Sequence, residues 1–355
     1  MTDTTMKFWN GKNVLITGHT GFKGTWLSLW LQSLGANCVG FSLEPPTKPN
    51  LFDSVQLCKS MMSIIGDIRD FELVQRVLKK HQPEIIIHMA AQPLVNFSYQ
   101  EPLMTYSTNI IGTTNLLEAA RFTDSIKAIV NVTSDKCYQN QELDRGYHEE
   151  DSLGGYDPYS SSKACSELVT QAYSYSYLKN KEINIATARA GNVIGGGDWG
   201  QNRLVPDVVK ACIKQKNIFL RYPNALRPWQ HVLEPLYGYL TLAKQLFESP
   251  PSFTQAWNFG PNEEQDRTVS WLTDALIKHW ESGIKWIQNT SEHPYETSLL
   301  RLNSTKAKEF LAWKSQWPIE TAIVKTIEWY KNFLKEKNMQ EITLAQIDEF
   351  QKNFV

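Results

Sequence analysis

Short apolar runs punctuate the first half of the chain. Asn13-Val14-Leu15-Ile16-Thr17, residues 37–41, Ile85-Ile86-Ile87-His88-Met89, Ala128-Ile129-Val130-Asn131-Val132 and Ile183-Asn184-Ile185-Ala186 lack strict polar alternation, as strands covered on both faces should. Helical spacing fills the intervals. It begins with Trp26, Leu27, Leu29, Trp30 and Leu31 and returns over 71–80, 107–121 and 159–178. Strand and helix in alternation predict an α/β fold with a doubly wound parallel sheet of the Rossmann type. After about Gly191 the pattern breaks. Gly195-Gly196-Gly197 and prolines at 206, 223, 228, 235, 250, 251 and 261 interrupt short elements, which predicts a second, smaller C-terminal domain. Trp257-Asn258-Phe259-Gly260 reads as a strand returning to the main sheet, and the last twenty residues as a surface helix with a frayed end.

Composition removes several function classes. Thirty-six basic and 37 acidic residues among 355 give a net charge of -1, so the broad field that non-specific nucleic-acid or anionic-membrane binding needs is absent. No apolar run approaches the roughly 20 residues of a membrane-spanning helix. The five cysteines are scattered without a C-x-x-C pair, and the seven histidines form no H-x-x-x-H spacing. Neither a disulfide framework nor a metal site is expected, and a cytoplasmic location fits.

The first candidate site lies between the first strand and the first helix. In Thr17-Gly18-His19-Thr20-Gly21-Phe22-Lys23-Gly24 the glycines permit a tight turn and close approach of backbone N–H groups to a pyrophosphate, while the helix N-terminus favours the anion. Gly18, Thr20, Gly21, Phe22, Lys23 and Gly24 are therefore candidate dinucleotide contacts. Glu44 follows the second strand with no Lys or Arg beside it, which argues for NAD over NADP. Asp67-Ile68, after the third apolar run, is placed to hold the adenine. The chemistry is carried by Tyr159 and Lys163, which at i and i+4 share one helix face. A nearby ammonium and a positive nicotinamide ring would lower the pKa of the phenol and make it a base. Ser134, at the end of a preceding strand, would bond the same substrate hydroxyl.

TGHTGFKG, His88-Met89-Ala90-Ala91-Gln92, Asn109 in STNIIGT and Tyr159-x-x-x-Lys163 resemble the extended short-chain dehydrogenase/reductase family over about residues 8–335. Within it, 133–138, 189–199 and 227–232 resemble the nucleotide-sugar 4,6-dehydratases that act on CDP-glucose. The resemblance implies NAD as cofactor, with Ala90, Ala91, Gln92 and Asn109 added to its contacts, and CDP-glucose as the small-molecule substrate. It also implies residues 1–190 as an NAD-binding Rossmann domain, rejoined at about 230–260, and 191–355 as mainly the substrate-binding domain. The implied reaction oxidises the glucose C4 hydroxyl, eliminates water across C5 and C6, and returns hydride to C6. Tyr159, Lys163 and Ser134 would serve the oxidation and Asp135 would protonate the leaving hydroxyl. Lys136 stands where related dehydratases carry a carboxylate base. Asn192, Arg203, Arg227, His231 and Arg301 are the implied substrate contacts, together with the His293-Pro294-Tyr295 stretch. Trp199, Trp229 and Trp257 are candidates to stack on the base, with packing the better account of each. Members of the family pair through two long helices, one of them bearing Tyr159 and Lys163, which implies a homodimer or homotetramer. Two other functions fit the same motifs: a nucleotide-sugar epimerase and a non-catalytic dinucleotide sensor.

Overall fold

The computed structural model describes residues 7–249, 252–261, 266–291 and 299–354. Strands β1 (Asn13–Thr17), β2 (Asn37–Ser42), β3 (Met62–Ile65), β4 (Ile85–His88), β5 (Ala128–Val132), β6 (Asn184–Ala190) and β7 (Ala256–Phe259) form one sheet, in the order β7-β6-β5-β4-β1-β2-β3. Every neighbouring pair is parallel. This is the doubly wound sheet, with the order reversing between β1 and β4. Such a reversal opens a crevice at the carboxyl ends of the strands. The strand predicted around Trp257 does rejoin the sheet, as its edge beside β6.

Both faces are buried, which explains the unbroken apolar runs. Val14, Ile16, Ile85, Ile87, Ala128 and Val130 pack on one side, while Leu15, Ile86 and Ile129 pack on the other. The second side is covered by α2 (Phe71–His81), by a continuous rod of Pro102–Tyr106, Ser107–Ile111 and Gly112–Ala120, here α3, and by α4 (Pro158–Tyr173). The first side carries α1 (Phe22–Ser33), and beyond it α5 (Leu204–Lys214), α6 (Leu233–Glu248), α7 (Val269–Trp280), α8 (Ile319–Leu334) and α9 (Met339–Gln351) extend the same core.

The last of these corrects the expectation of a loose surface helix. Phe350 of α9 is fully buried edge-on against Trp30 of α1 and against Trp317, and Thr343 accepts from the Trp329 indole at 2.9 Å. One apolar stripe thus ties the end of the chain to the first helix. Among the described residues no helix is long and apolar enough to cross a membrane.

A buried ion pair fixes the ends of β5 and β6. Arg189 donates to both carboxylate oxygens of Glu167 at 2.9 and 2.8 Å, and the hydroxyls of Thr133 and Thr187 donate to the same carboxylate. Glu167 lies one helical turn beyond Lys163, so the pair holds α4 against the end of β5, just before Ser134. Arg189→Ala should destabilise the fold by about 3–5 kcal/mol, because a buried carboxylate would lose its countercharge. Urea unfolding followed by far-UV circular dichroism measures the loss.

Candidate active site

A cleft of about 870 Å³ opens above the carboxyl ends of β1, β2, β4 and β5. At its floor, Gly18 has φ +76°, and a Cβ there would meet the backbone of Met89 and Ala90 at 2.9 Å. A Cβ on Gly24 would come within 2.1 Å of the Gly18 carbonyl. Glycine is therefore required at both positions, and the loop can lie flat against the end of β4. The first turn of α1 has no side-chain cap, and Gly21, Phe22, Lys23 and Gly24 all line the cleft. An uncapped helix start exposed in this way offers its leading N–H groups to an anion. A diphosphate fits here.

Thr20, also in the lining, donates to the Leu43 carbonyl at 2.8 Å and bonds the Ser42 hydroxyl at 2.9 Å, which holds the loop to the end of β2. The lining there is Ser42, Leu43, Glu44, Pro46 and Thr47, without a basic residue. Asp67 and Ile68 reach the rim, but Arg69 already donates to the Asp67 carboxylate at 2.9 and 3.0 Å and holds its pKa down. Ala90 and Ala91 line the cleft. Gln92 and Asn109 stand behind that wall: Asn109 accepts from the Gln92 N–H at 2.8 Å and donates to the Gln92 carbonyl and to Ser162. Their amides shape the wall rather than facing what it encloses.

The chemistry gathers at the end of β5. Asp157 caps α4, accepting from the Ser160 N–H at 2.9 Å, and Pro158 opens the helix. The opening of the helix therefore carries Tyr159 to Ser134 and Lys163 to the end of β5. Lys163 donates to the Val132 carbonyl at 3.3 Å, and burial pushes its pKa down to about 8. Tyr159 is buried as well. Burial pushes the phenol up to about 12, opposed by its hydrogen bond with Ser134 and by the positive charge of Arg203, and reinforced by Asp135. Removing the phenolate from water outweighs the cations of the protein itself.

Ser134, two residues past the end of β5, starts a 3₁₀ turn, Asp135–Cys137, so alternation of side chains stops there. The Ser134 hydroxyl donates to Asp135 Oδ1 at 2.9 Å, while Oδ2 is buried without a hydrogen-bond partner. Gly191 leaves it room, since a Cβ there would stand 3.0 Å from Oδ2. Burial raises the Asp135 pKa, and Lys136, Ser134, Arg227 and Lys23 oppose the rise in that order. The Lys136 charge thus acts on Asp135, because the turn replaces the strand alternation that would put adjacent side chains on opposite faces. A carboxyl biased toward its neutral form beside a phenol and a hydroxyl is equipped to give up a proton.

The substrate-side candidates divide. Asn192, Arg203 and Arg227 line the cleft. Arg203 also donates to Asp198 at 3.1 Å. His231 does not reach it. Its ring is fully buried between Trp26 and Trp317, its Nδ1 accepts from the Leu233 N–H, and burial pushes its pKa down to about 3. Arg301 is likewise committed elsewhere, paired with Asp266 and donating to the Asp144 carbonyl. Trp257 is a core residue stacked on Phe253, whereas Trp199 and Trp229 reach the lining. His293, Pro294 and Tyr295 lie outside the described residues. Sequence reasoning passed over Asp198, which follows three glycines and anchors Arg203, and Tyr239, fully buried on α6 beside Lys23. The Gly-Gly-Gly-Asp spacing was a usable signal for the first, and nothing local marked the second.

A sequence profile of the GDP-mannose 4,6 dehydratase family matches residues 15–326, nearly the whole cleft-bearing chain. The chain belongs to this family. Among relatives of the dehydratase family, CDP-glucose 4,6-dehydratase of Salmonella typhimurium is 44% identical over 348 residues, with 97% of each chain covered. dTDP-glucose 4,6-dehydratase of Xanthomonas campestris is 26% identical, covering 89% of this chain and 92% of its own. The fold recurs in the epimerase Mth375 of Methanothermobacter thermautotrophicus, with TM-score 0.82 and 21% identity over 94% of this chain and 96% of the other. It recurs also in DesIV of Streptomyces venezuelae, a dTDP-glucose 4,6-dehydratase solved with NAD, with TM-score 0.76 and 22% identity over 90% and 97%.

Proposed function

We propose that this family member is a CDP-glucose 4,6-dehydratase that works with NAD and yields CDP-4-keto-6-deoxyglucose. The reaction class is supported by one geometric observation: Asp135 presents a buried, unpartnered carboxylate oxygen beside Ser134 and Tyr159. The nucleotide is drawn from the Salmonella relative. Incubation with CDP-, dTDP-, UDP- and GDP-glucose and mass detection of the loss of water tests both parts. Loss of water from none of the four would reject the reading, and an isomerised hexose of unchanged mass would favour an epimerase.

In this reading the glycine loop Gly18–Gly24 holds the dinucleotide's diphosphate, and the rim at Ser42–Glu44 holds its adenine-side ribose. Bound NAD supplies the acceptor and later the donor of a hydride. Tyr159 takes the proton of the sugar's C4 hydroxyl, and Ser134 bonds the same oxygen. A ketone at C4 acidifies the proton on C5, so base and acid must then act on adjacent carbons. Asp135 protonates the departing C6 hydroxyl, which leaves as water. Lys136 removes the C5 proton, directly or through a water, or stabilises the enolate. Arg203, Arg227 and Asn192 hold the nucleotide diphosphate, for which the planar guanidinium is suited.

The rim at β2 gives a prediction about the cofactor. Stripped protein should bind NAD at least about tenfold more tightly than NADP, since a 2′-phosphate there would meet Glu44 and no cation. Fluorescence titration with both dinucleotides reads the ratio. We further propose that the protein is a homo-oligomer paired through α3 and α4. These packed helices carry exposed apolar residues, with Leu103 83%, Ile111 53% and Leu168 53% accessible.

A further inference from the structure

His88 opens the stretch His88-Met89-Ala90-Ala91-Gln92, and no step of the reaction above makes use of it. Its ring is buried at the end of β4, and both nitrogens have partners: Nδ1 stands 2.7 Å from the Thr17 hydroxyl and Nε2 stands 3.1 Å from the Thr113 hydroxyl. Those partners decide where the ring proton sits. Thr17 Oγ1 accepts from the N–H groups of Met89 and Ala90 at 3.0 and 3.1 Å, the first of them shared with the Thr17 carbonyl at 3.2 Å, so its own proton is left for Nδ1. Thr113 Oγ1 gives its proton to the Asn109 carbonyl at 2.8 Å, so it accepts from Nε2. Both ends require a neutral ring with its hydrogen on Nε2. Burial, helped by the charge of Lys163, keeps the ring neutral by pushing its pKa down to about 3.

The line of hydrogen bonds continues on both sides of the ring. Towards the cleft, Met89 and Ala90 form the wall against which Gly18 lies. Towards α4, Thr113 meets Ser166 at 3.3 Å, and Asn109 donates to Ser162 at 2.8 Å, whose hydroxyl donates to the Tyr159 carbonyl at 2.7 Å. Each of these side chains is buried and partnered, the condition under which a polar network fixes a single geometry. We propose that His88 is a positioning residue for the first hydride transfer, a ring held as the Nε2–H tautomer that ties the dinucleotide wall to the helix turn carrying Tyr159. The proposal rests on the dehydratase reading for the reaction it positions, whereas the tautomer and the affinity for NAD are independent of that reading.

NMR of the NAD-loaded protein labelled with 15N-histidine reads the tautomer. The pair of signals that His88→Leu removes should be a pyrrole-type Nε2 and a pyridine-type Nδ1, told apart by their couplings to the ring protons. The same variant should weaken NAD binding about tenfold and slow formation of reduced dinucleotide from CDP-glucose by about 10–100-fold, since a shift of an ångström between reacting groups costs up to about 10²-fold. Its affinity for CDP-glucose, measured by calorimetry, should stay near wild type. Thr113→Val cuts the same line with the ring in place and should move NAD affinity and rate in the same direction by smaller factors, which keeps the test intact if His88→Leu does not fold. A hydrogen on Nδ1 in wild type would overturn the proposal. So would a lowered thermal midpoint with NAD affinity and rate per folded molecule unmoved, which would make His88 a structural residue only. If wild type converts none of the four nucleotide-glucoses, the dehydratase reading fails, and the tautomer and the NAD affinities still decide whether His88 holds the dinucleotide wall.

Discussion

Tyr159→Phe is expected to lower the rate of CDP-glucose conversion by about three orders of magnitude while leaving the fold intact. The loss is that of a positioned general base, for which the usual range is about 10²–10⁴. The phenyl ring would fill the same space, and α4 would keep its cap at Asp157 and its first proline, so stability should change little. Only the hydroxyl that meets Ser134 disappears. Burial holds the phenol up to about 12, so the phenolate that takes the C4 proton would depend on the positive nicotinamide ring of bound NAD to stabilise it. The variant should bind CDP-glucose with nearly unchanged affinity, measured by calorimetry, and show no rise in reduced-dinucleotide absorbance on rapid mixing. Retention of that rise would assign the base elsewhere, with Lys163, buried and held down to about 8, the next group in reach.

Features set by neighbours in sequence were legible before the structure. The parallel sheet follows from strands that are apolar on both faces, and the glycine loop follows from a turn that only glycine can make against Met89 and Ala90. Tyr159 and Lys163 meet because helical geometry alone puts them on one face. Features that depend on distant partners were not legible. His231 looks like a contact residue until Trp26 and Trp317, 205 and 86 positions away, are seen to enclose it. Arg301 is paired with Asp266, and Asn109 with Gln92, by contacts that no local pattern announces. The C-terminal helix was misjudged for the same reason. Its stripe of Met339, Thr343, Ile347 and Phe350 is short, and only the aromatic surface of α1 and α8 makes it a buried face.

Asp135→Asn separates the two halves of the proposed reaction. The amide preserves the shape and can still accept from Ser134, so the oxidation performed at Tyr159 should proceed at within about tenfold of its normal rate. Water loss should fall by about 10²–10³, because an amide has no proton to give to a departing hydroxyl. A 4-keto hexose that still carries its C6 hydroxyl should therefore accumulate, detectable by mass after rapid quench. Its C5 hydrogen should continue to exchange with deuterated solvent if Lys136 is the base, because removal of that proton does not need Asp135. Lys136→Ala should show the converse, a ketone formed with slow exchange. The two variants thus test the division between acid and base within one turn, Asp135–Cys137. Equal loss of oxidation in Asp135→Asn and Tyr159→Phe would mean that the carboxyl acts on the phenol, through Ser134, and not on the leaving oxygen.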